Sequence, residues 1–387
     1  MRSVSVIGIG ETKFGRFLDR PITDMIKEAG EAAFLDAGID KSAIQAVYFG
    51  NFNGQMLCKQ GHMGPLVTET LNLGAIPAIR TEGACASGSL ALRQAAIAIM
   101  SGIYDIVLVG GVEKMCHQDT ETVTEALTTA MEYYSEVEQG LTFPGIFALI
   151  ANRYFHEYRD VKKEMAMCAV NAHNNAMLNP DAQMQKPITV DKVLSADMIC
   201  DPLSLFDCSL VSDGCAFVIL ATTEIAEKLN KHRIVELVGS GHGGDAMTLY
   251  NKKSITSFAA TVSAANEAYK MAGLTPADID FAEVHDCFTI TQIINIEDLG
   301  FFEKGHGADA VAEGKIALDG CKPINTSGGL KAKGHPIGAT GISQVYEVVT
   351  QLRGDAGERQ LKKADIGLTH NLGGSAGTGL VHIFRGR

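Results

Sequence analysis

The same order of elements occurs twice along this chain of 387 residues, and the repeat limits the folds that the chain can adopt. Each copy consists of a helix-spaced apolar segment, a closing glycine and a predicted strand: residues 22–37, Gly38 and 44–49 in the first copy, and 262–272, Gly273 and 279–284 in the second. Written out, EAAFLDAGIDKSAIQAVYFG stands beside NEAYKMAGLTPADIDFAEVH. We therefore predict two related halves.

A second pair of segments extends the repeat. Each begins with a glycine that opens a helix and is followed by a strand: Gly88, 90–100 and 106–109 in the first half, and Gly341, 342–352 and 366–369 in the second. Further strands are predicted at 3–9 and 216–221, where they begin and close the first half. This alternation predicts an α/β architecture in which helices cover the sheets.

The segment 116–211 lacks the repeat and is richer in Met, Asn, Thr and charged residues, which indicates an insertion carried by the first half. The predicted domains are an N-terminal half (1–115 plus 212–231), a loop domain (116–211) and a C-terminal half (232–387). A site formed where two such halves meet collects residues from both of them.

The composition excludes several function classes. A formal charge of -12 and a pI near 5.4 argue against a general affinity for nucleic acid or for an anionic membrane. No stretch reaches the roughly 18 apolar residues of a membrane span, and the apolar start is too short for a signal peptide. We expect a cytoplasmic protein that contacts neither membrane nor nucleic acid. The 9 cysteines include no Cys-x-x-Cys pair, which argues against a disulfide framework or a zinc knuckle.

Cys85 stands in EGACASGSLALRQAAIAIM, where small residues precede an apolar-periodic helix. The thiol is therefore expected at a helix N-terminus, where the macrodipole and free N–H groups favour a thiolate. A thiolate is both a good nucleophile and a good leaving group. The alternative is an inert cysteine in a tightly packed helix start.

His335 stands in the glycine-dense segment GGLKAKGHPIGATG, which runs into an apolar helix at the place matching Cys85 in the other half. The glycines allow the backbone to approach a ligand closely. A histidine here can take the proton of a thiol and then offer an N–H to an oxyanion. Without Cys85 as its partner, a structural histidine in a turn is the better interpretation.

The sequence His285-Asp286-Cys287-Phe288 follows a predicted strand, and strand ends in such sheets are where ligands bind. His285 can donate to an oxyanion, and Cys287 can carry a proton to and from a carbon atom. Metal binding by these two residues is the alternative, but four ligands at zinc-like spacing are missing. We therefore predict no metal.

The run of residues 370–377, HNLGGSAG, follows the last predicted strand and can point successive N–H groups at an anion, although a plain tight turn explains it equally well. Gly8-Ile9-Gly10 has Lys13 where a dinucleotide fingerprint needs glycine, and the chain has no P-loop motif. Neither a dinucleotide-binding fold nor a P-loop is therefore indicated.

Together these motifs resemble the thiolase superfamily over essentially the whole chain. GACASG is similar to the nucleophile motif, GGLKAKGHPIGATG to the histidine motif, and Val-Glu-Lys-Met at 112–115 to the exit from the first half's strand. Thiolases commonly carry Asn-Glu-Ala-Phe and a C-terminal Cys-x-Gly, where this chain has HDCF and His370-Asn371-Leu372-Gly373. That departure resembles the sterol-carrier-protein type of thiolase and its archaeal and bacterial relatives.

The resemblance implies a five-layered α-β-α-β-α fold with a loop domain that holds coenzyme A. It implies no tightly bound cofactor, since coenzyme A and acyl-CoA are substrates. It also implies a homodimer or tetramer, and some relatives work with a small zinc-ribbon and OB-fold companion protein. Lys333, in the histidine motif, is a candidate contact for the coenzyme, and a solvated lysine is the alternative.

The resemblance further implies a reaction, namely reversible thiolysis of a 3-oxoacyl-CoA or the reverse Claisen condensation. Cys85 carries the acyl group and His335 accepts its proton. His335 and His285 donate to the enolate oxygen, and Cys287 protonates the α-carbon. The N–H groups of Gly373 and Cys85 hold the tetrahedral oxyanions. Asn371 occupies the position where other thiolases have the cysteine of the C-terminal Cys-x-Gly motif.

The expected substrate is acetoacetyl-CoA, and a branched or aromatic 3-oxoacyl-CoA is open. Two other functions also stay open. A condensing enzyme of the acyl-carrier-protein or hydroxymethylglutaryl type is compatible with His285, but the pair of cysteines argues against it. A non-catalytic acyl-CoA-binding scaffold needs none of Cys85, His335 and Cys287, so their presence argues against that function.

Overall fold

The structure is a computed structural model that describes residues 2–229 and 233–387. The strands are β1 Val4–Glu11, β2 Ala46–Gly50, β3 Ala78–Thr81, β4 Ile106–Glu113, β5 Met198–Cys200, β6 Leu203–Ser204, β7 Gly214–Thr222, β8 Val235–Gly244, β9 Phe281–Glu283, β10 Ile366–Gly373 and β11 Thr378–Gly386. The helices are α1 Ile22–Ala37, α2 Gly54–Leu57, α3 Met63–Thr70, α4 Ser87–Met100, α5 Thr120–Thr128, α6 Phe143–Glu157, α7 Lys162–Met177, α8 Val190–Leu194, α9 Thr223–Lys228, α10 Ala259–Ala272, α11 Thr289–Asp298, α12 Gly307–Ala312 and α13 Ile337–Arg353.

Each half contributes one mixed sheet, and the two sheets are joined edge to edge. The strand order is β3-β2-β4-β7-β1 in the N-terminal half and β8-β11-β10-β9 in the C-terminal half. A short antiparallel ladder between β1 and β8 joins them, with Val4 opposite Leu237 and Val6 opposite Val235. Strands β2, β3 and β4 run parallel, as do β9 and β10.

The helices form three layers around the two sheets, which gives the predicted five-layered α-β-α-β-α arrangement. Helices α1 and α3 cover the N-terminal sheet, α10 covers the C-terminal sheet, and α4 and α13 pack against each other between the sheets. Buried apolar side chains fill the spaces between these layers in three large clusters. Burial of this apolar surface is the main force that holds the layers together.

Glycines on β1 and β8 allow the outer helices to lie close to the sheets. A Cβ at Gly10 would lie 2.3 Å from the carbonyl oxygen of Ala29 on α1, and a Cβ at Gly241 would lie 1.8 Å from that of Ala264 on α10. The Gly-Ile-Gly of β1 thus serves helix packing, which agrees with its rejection as a nucleotide motif.

The predicted elements are largely present, with shifted ends. Helix α1 has the predicted bounds, and both Gly38 and Gly273 close their helices with left-handed backbone (φ 66° and 65°). The strands after them begin later than predicted, because a 3₁₀ turn comes first in each half. The prediction that Gly341 opens α13 is wrong, since the helix already begins at Ile337.

The segment 116–211 contains α5 to α8 and the ribbon β5-β6, and it packs on the C-terminal half. Phe147 of α6 stacks on Phe288, with ring centroids 4.6 Å apart. The predicted domain bounds stay predictions, and the bound between 231 and 232 lies outside the described residues. Among the residues that the structure describes, no helix is long and apolar enough to cross a membrane.

Candidate active site

Cys85 lies in a tight turn directly before α4. The 3₁₀ turn Ala84–Ala86 leads into the helix, and Ala84 adopts a left-handed backbone with φ 50°. The Glu82 carboxylate accepts the Ala84 N–H at 2.6 Å, and the Ser87 hydroxyl accepts the Gly83 N–H at 3.0 Å and donates to the Ala84 carbonyl at 2.6 Å. These hydrogen bonds hold a strained turn in place, as is common where a reactive side chain must be aimed.

His335 lies between the π-helical turn Gly329–Lys333 and α13. Its backbone N–H donates to the Ser212 hydroxyl at 3.0 Å, and its Nδ1 lies 2.7 Å from Thr340 Oγ1. The Thr340 hydroxyl donates its own hydrogen to the Pro336 carbonyl at 3.1 Å, so it accepts from Nδ1–H. Nε2 of this ring therefore carries a lone pair, and it has no hydrogen-bond partner among the described residues.

The HDCF segment follows β9 and is buried throughout. Its Asp286 carboxylate accepts the Leu330 N–H at 2.7 Å, which ties the segment to the π turn before His335. Nδ1 of His285 lies 2.9 Å from Nδ2 of Asn371. The sulfur of Cys287 lies 3.8 Å from Thr291 Oγ1 on α11.

The structure brings these segments together around one cavity of about 200 Å³. Sγ of Cys85 and one ring nitrogen each of His285 and His335 lie within 4.8 Å of one another. The two rings are nearly perpendicular (83°), with centroids 5.3 Å apart. Cys287 lines the same cavity, so all four predicted catalytic residues face one space.

The glycine beside the thiol is Gly374 and not the predicted Gly373. The Gly374 N–H forms a hydrogen bond with Cys85, and Gly374 lines the cavity. Gly373 closes β10 and packs against the neighbouring turn, where a Cβ would lie 2.3 Å from the Gly83 carbonyl oxygen. Its close packing explains the glycine at 373, and the N–H that faces the sulfur belongs to the next residue.

Lys333 does not fit the predicted contact with coenzyme A. Its ammonium is buried and pairs with the Glu11 carboxylate at 2.8 Å, between the rings of Phe14 and Tyr346. The side chain therefore points into the protein between the halves, and Lys333 is not among the residues that line the cavity of Cys85. Sequence reasoning missed this pairing because Glu11 lies far away in the chain.

Glu113, in the Val-Glu-Lys-Met segment at 112–115, is a buried carboxylate for which no role was predicted. It accepts the N–H groups of Phe52 and Asn53 at 3.0 Å and that of Gly338 at 3.1 Å. It thereby joins the end of β4 to the start of α13, three residues after His335. The signal in the sequence was an acidic residue at the end of an apolar strand.

Burial keeps the reactive groups neutral at rest. It raises the pKa of Cys85 to about 12, and the N–H groups of Gly374 and of Cys85 itself offset only part of this. Burial therefore opposes the thiolate expected from the helix N-terminus and favours the thiol. Burial also raises the pKa of Cys287 well above its ordinary value and lowers the pKa of His335 to about 3.

The metal alternative took His285 and Cys287 as ligands, but the described residues instead group His285 with Cys85 and His335. The absence of a resident metal stays a prediction.

The segment 208–211 also borders the cavity, where the Ser209 N–H donates to the Cys287 carbonyl at 2.8 Å. Sequence reasoning missed this segment because no pattern distinguishes it.

Comparison with known proteins agrees with this geometry. The sequence model for the thiolase N-terminal domain matches residues 4–224, and the model for the thiolase C-terminal domain-like family matches residues 241–386. The chain belongs to the thiolase family. The thiolase assignment, the fold and the enzyme class, an acyltransferase of the thiolase type, are thereby confirmed.

Several relatives of this thiolase cover nearly the whole chain. An acetyl-CoA acetyltransferase of Methanothermobacter thermautotrophicus is 47% identical and covers 99% of this chain and 100% of its own. Sterol carrier protein 2 of Oryctolagus cuniculus is 34% identical over 99% of this chain and 72% of its own. Among solved structures, the Ltp2-ChsH2(DUF35) aldolase superposes with a TM-score of 0.85 and 26% identity, over 98% of this chain and 97% of its own.

Proposed function

We propose that this thiolase transfers acyl groups between coenzyme A thioesters, cleaving a 3-oxoacyl-CoA with coenzyme A or condensing two acyl-CoAs. The observation that carries the proposal is one cavity in which the sulfur of Cys85 and the nitrogens of His285 and His335 lie within 4.8 Å of one another, with Cys287 beside them. The acetyl-CoA acetyltransferase relatives, at 44–47% identity, support this reaction class.

The first half-reaction makes an acyl-enzyme. Nε2 of His335 takes the proton of the Cys85 thiol, and the sulfur attacks the 3-oxo carbon of the substrate. The tetrahedral adduct collapses to acyl-Cys85 and the enolate of the shorter acyl-CoA. The enolate oxygen meets the new Nε2–H of His335 and an N–H of His285, and the Cys287 thiol protonates the α-carbon.

The second half-reaction returns every proton to its starting position. The Cys287 thiolate takes the proton of an incoming coenzyme A thiol, which then attacks acyl-Cys85. The adduct releases the new acyl-CoA, and His335 returns its proton to the Cys85 sulfur. The N–H groups of Cys85 and Gly374 are the proposed donors to the tetrahedral oxyanion, because both lie beside this sulfur.

The neutral resting state supports this assignment of roles. A half-buried thiol of raised pKa needs a base next to it, and the free lone pair of His335 Nε2 provides one. Likewise, a general acid must hold its proton until the enolate forms, and burial keeps the proton on Cys287.

Acetoacetyl-CoA is the proposed default substrate. The cavity of about 200 Å³ is small, and apolar side chains line it away from the reacting groups, including Met115, Leu127, Phe143 and Phe147. Apolar walls accept a short acyl group without leaving polar groups unpaired. A branched or aromatic acyl group stays open, and the loop domain 116–211 is the proposed holder of coenzyme A.

The proposed assembly is a homodimer or tetramer in the cytoplasm. Strand β3 is an edge of the sheet, and its Ile79 is half exposed, which supports pairing with a second copy through this edge. A small companion protein is also proposed. The support is that the structurally similar Ltp2-ChsH2(DUF35) aldolase is named as a combination that includes a DUF35 component.

The proposal is tested by assaying the purified protein with coenzyme A and a panel of 3-oxoacyl-CoAs, with and without a candidate companion. We expect acetoacetyl-CoA to be cleaved to two acetyl-CoA, and acetyl-CoA alone to leave an acetyl group on the peptide that contains Cys85. Binding of acyl-CoA without acetylation or turnover would instead support the scaffold function.

A further inference from the structure

Asn371 connects the two halves of the site. It lies near the end of β10 and is fully buried. Its Oδ1 accepts a hydrogen bond from the Ser89 hydroxyl at 3.0 Å, and its Nδ2 lies 2.9 Å from Nδ1 of His285. Ser89 belongs to α4, four residues after Cys85. A buried hydrogen-bonded chain therefore runs from the helix of the nucleophile to the imidazole of the other half.

The direction of each hydrogen bond in this chain follows from the atoms present. The amide oxygen of Asn371 has no hydrogen, so the Ser89 hydroxyl donates to it. With its oxygen held there, the amide turns its NH₂ toward His285, and this group can only donate. Nδ1 of His285 must therefore present its lone pair.

A neutral imidazole carries one hydrogen, so the hydrogen of His285 lies on Nε2. The ring is neutral because burial, together with the neighbouring His335 and His370, lowers its pKa well below the ordinary value. His335 has the opposite tautomer, since Thr340 takes its Nδ1–H. Thus one ring at the cavity accepts a proton while the other donates a hydrogen bond.

We propose that Asn371, held by Ser89, is a positioning residue that fixes the Nε2–H tautomer of His285, so that this ring offers a donor to the enolate oxygen. The inference rests on the thiolase function proposed above. It gives a role to the amide that stands where other thiolases have a cysteine. Without the amide, the hydrogen could move to Nδ1, and Nε2 would turn a lone pair toward a negatively charged oxygen.

The tautomer is measurable in the whole enzyme labelled with ¹⁵N-histidine. Two-bond ¹H–¹⁵N spectra separate Nδ1–H, Nε2–H and imidazolium, and a His285→Gln variant assigns the signals. We expect Nε2–H in the wild-type enzyme and both tautomers in Asn371→Ala. Exchange of the α-hydrogens of acetyl-CoA should fall about 10²–10³-fold in Asn371→Ala, as for loss of one oxyanion donor, while acetyl transfer to Cys85 falls far less.

Ser89→Ala provides a second variant, because it frees the amide to rotate and should give a mixed tautomer with a smaller loss of exchange. Ser5→Ala is the matched control, since Ser5 is equally buried but bonds Thr223 on the far side of the sheet, and it should change neither readout. A wild-type His285 in the Nδ1–H or imidazolium form would overturn the inference, and so would wild-type exchange in Asn371→Ala. Absence of acetyl-Cys85 in the wild-type enzyme would instead contradict the proposed function itself.

Discussion

The two halves of the molecule share a topology but bring different chemistry to the site. Helices α4 and α13 occupy equivalent places, and Cys85 and His335 stand at or just before their starts. The N-terminal half contributes one sulfur, whereas the C-terminal half contributes two imidazoles, a second thiol and the amide of Asn371. The repeat thus provides two equivalent helix starts, of which one carries the proposed nucleophile and the other the groups that handle protons.

Close packing of helices α4 and α13 determines how the two halves of the site face each other. A Cβ at Gly88 would lie 2.8 Å from the Gly338 carbonyl oxygen, and a Cβ at Gly341 would lie 2.4 Å from the Ser89 nitrogen. At Gly88 the nearest atom is backbone, whereas at Gly341 the Ser89 Oγ lies nearer still, at 2.2 Å. A methyl group at either position would overlap the neighbouring helix, so the two glycines allow the close approach on which the spacing between the sulfur and the imidazole depends.

The largest expected effect is that of removing Cys85, the proposed nucleophile. Cys85→Ala should lower thiolysis by about 10⁴-fold or more, since removing a covalent nucleophile leaves only binding and polar stabilisation. Its thermal midpoint should stay near that of the wild type. The exposed Cys321 gives the control Cys321→Ala, which should retain full activity. Comparable loss in both variants would refute the special role of Cys85.

The second prediction concerns the buried ion pair that joins the halves, Glu11 on β1 and Lys333 before α13. Lys333→Met leaves an unpaired carboxylate and should cost about 3–5 kcal/mol of unfolding free energy at pH 8. Urea unfolding measures the loss, and the double variant with Glu11→Gln should recover most of it. The KM for coenzyme A should not change; a large rise would restore the coenzyme contact first predicted for Lys333.

The same pair predicts a pH dependence. Burial raises the pKa of Glu11 from 4.5 to about 7, although Lys333 lowers it. Because the folded-state pKa exceeds the unfolded value, the folded protein holds this proton more tightly, and the associated stability is lost as pH rises from about 4.5 to 7. Lys333→Met removes the opposing charge, so its deficit should be smaller at pH 5 than at pH 8. A deficit that grows on acidification would contradict this account.

A smaller effect is expected where the halves touch. A Cβ at Gly338 would lie 2.6 Å from the Val112 carbonyl oxygen, so Gly338→Ala must shift α13 and should cost about 1–3 kcal/mol. Its activity should fall because His335 moves away from the sulfur. Gly145→Ala is the matched control, since the nearest atoms lie 3.7 Å away and its stability should not fall. Equal thermal midpoints for Gly338→Ala and Gly145→Ala would contradict this expectation, because they would show that α13 can move away from β4 without loss of stability.

The smallest expected effect lies in the turn before Cys85. Ala84 has left-handed backbone, which costs about 1–2 kcal/mol in a non-glycine residue, while glycine loses about 0.5–1 kcal/mol more chain entropy on folding. Ala84→Gly should therefore change stability by no more than about 1 kcal/mol, toward a gain. Ala86→Gly, at φ -91°, has no strain to relieve and should destabilise. If both substitutions destabilised equally, the turn would not be strained.

Local features of this structure could be predicted from the sequence, whereas contacts between residues far apart in the chain could not. Helix α1 and its closing Gly38 were predictable because apolar spacing and a left-handed glycine are local features. The convergence of Cys85, His335, His285 and Cys287 on one cavity could also be anticipated, because the repeat places helix starts and strand ends together.

What could not be predicted depends on burial and on partners far away in the chain. Spacing does not reveal how deeply a sulfur lies, so the helix end suggested a thiolate at Cys85 where burial favours the thiol. Lys333 looked like a cation for coenzyme A because Glu11 is distant in sequence. The choice between Gly373 and Gly374 depends on which N–H the turn aims at the sulfur.

The most direct test of the division between the halves is α-hydrogen exchange in a folded Cys287→Ala variant, measured as deuterium entering the acetyl group of acetyl-CoA. The variant should still form acetyl-Cys85, because that step needs only Cys85, His335 and the neighbouring N–H groups. Exchange and condensation should fall about 10²–10⁴-fold, the usual contribution of general acid–base catalysis. Near-normal exchange would contradict the account and move the proton transfer to His285 or to a bound water.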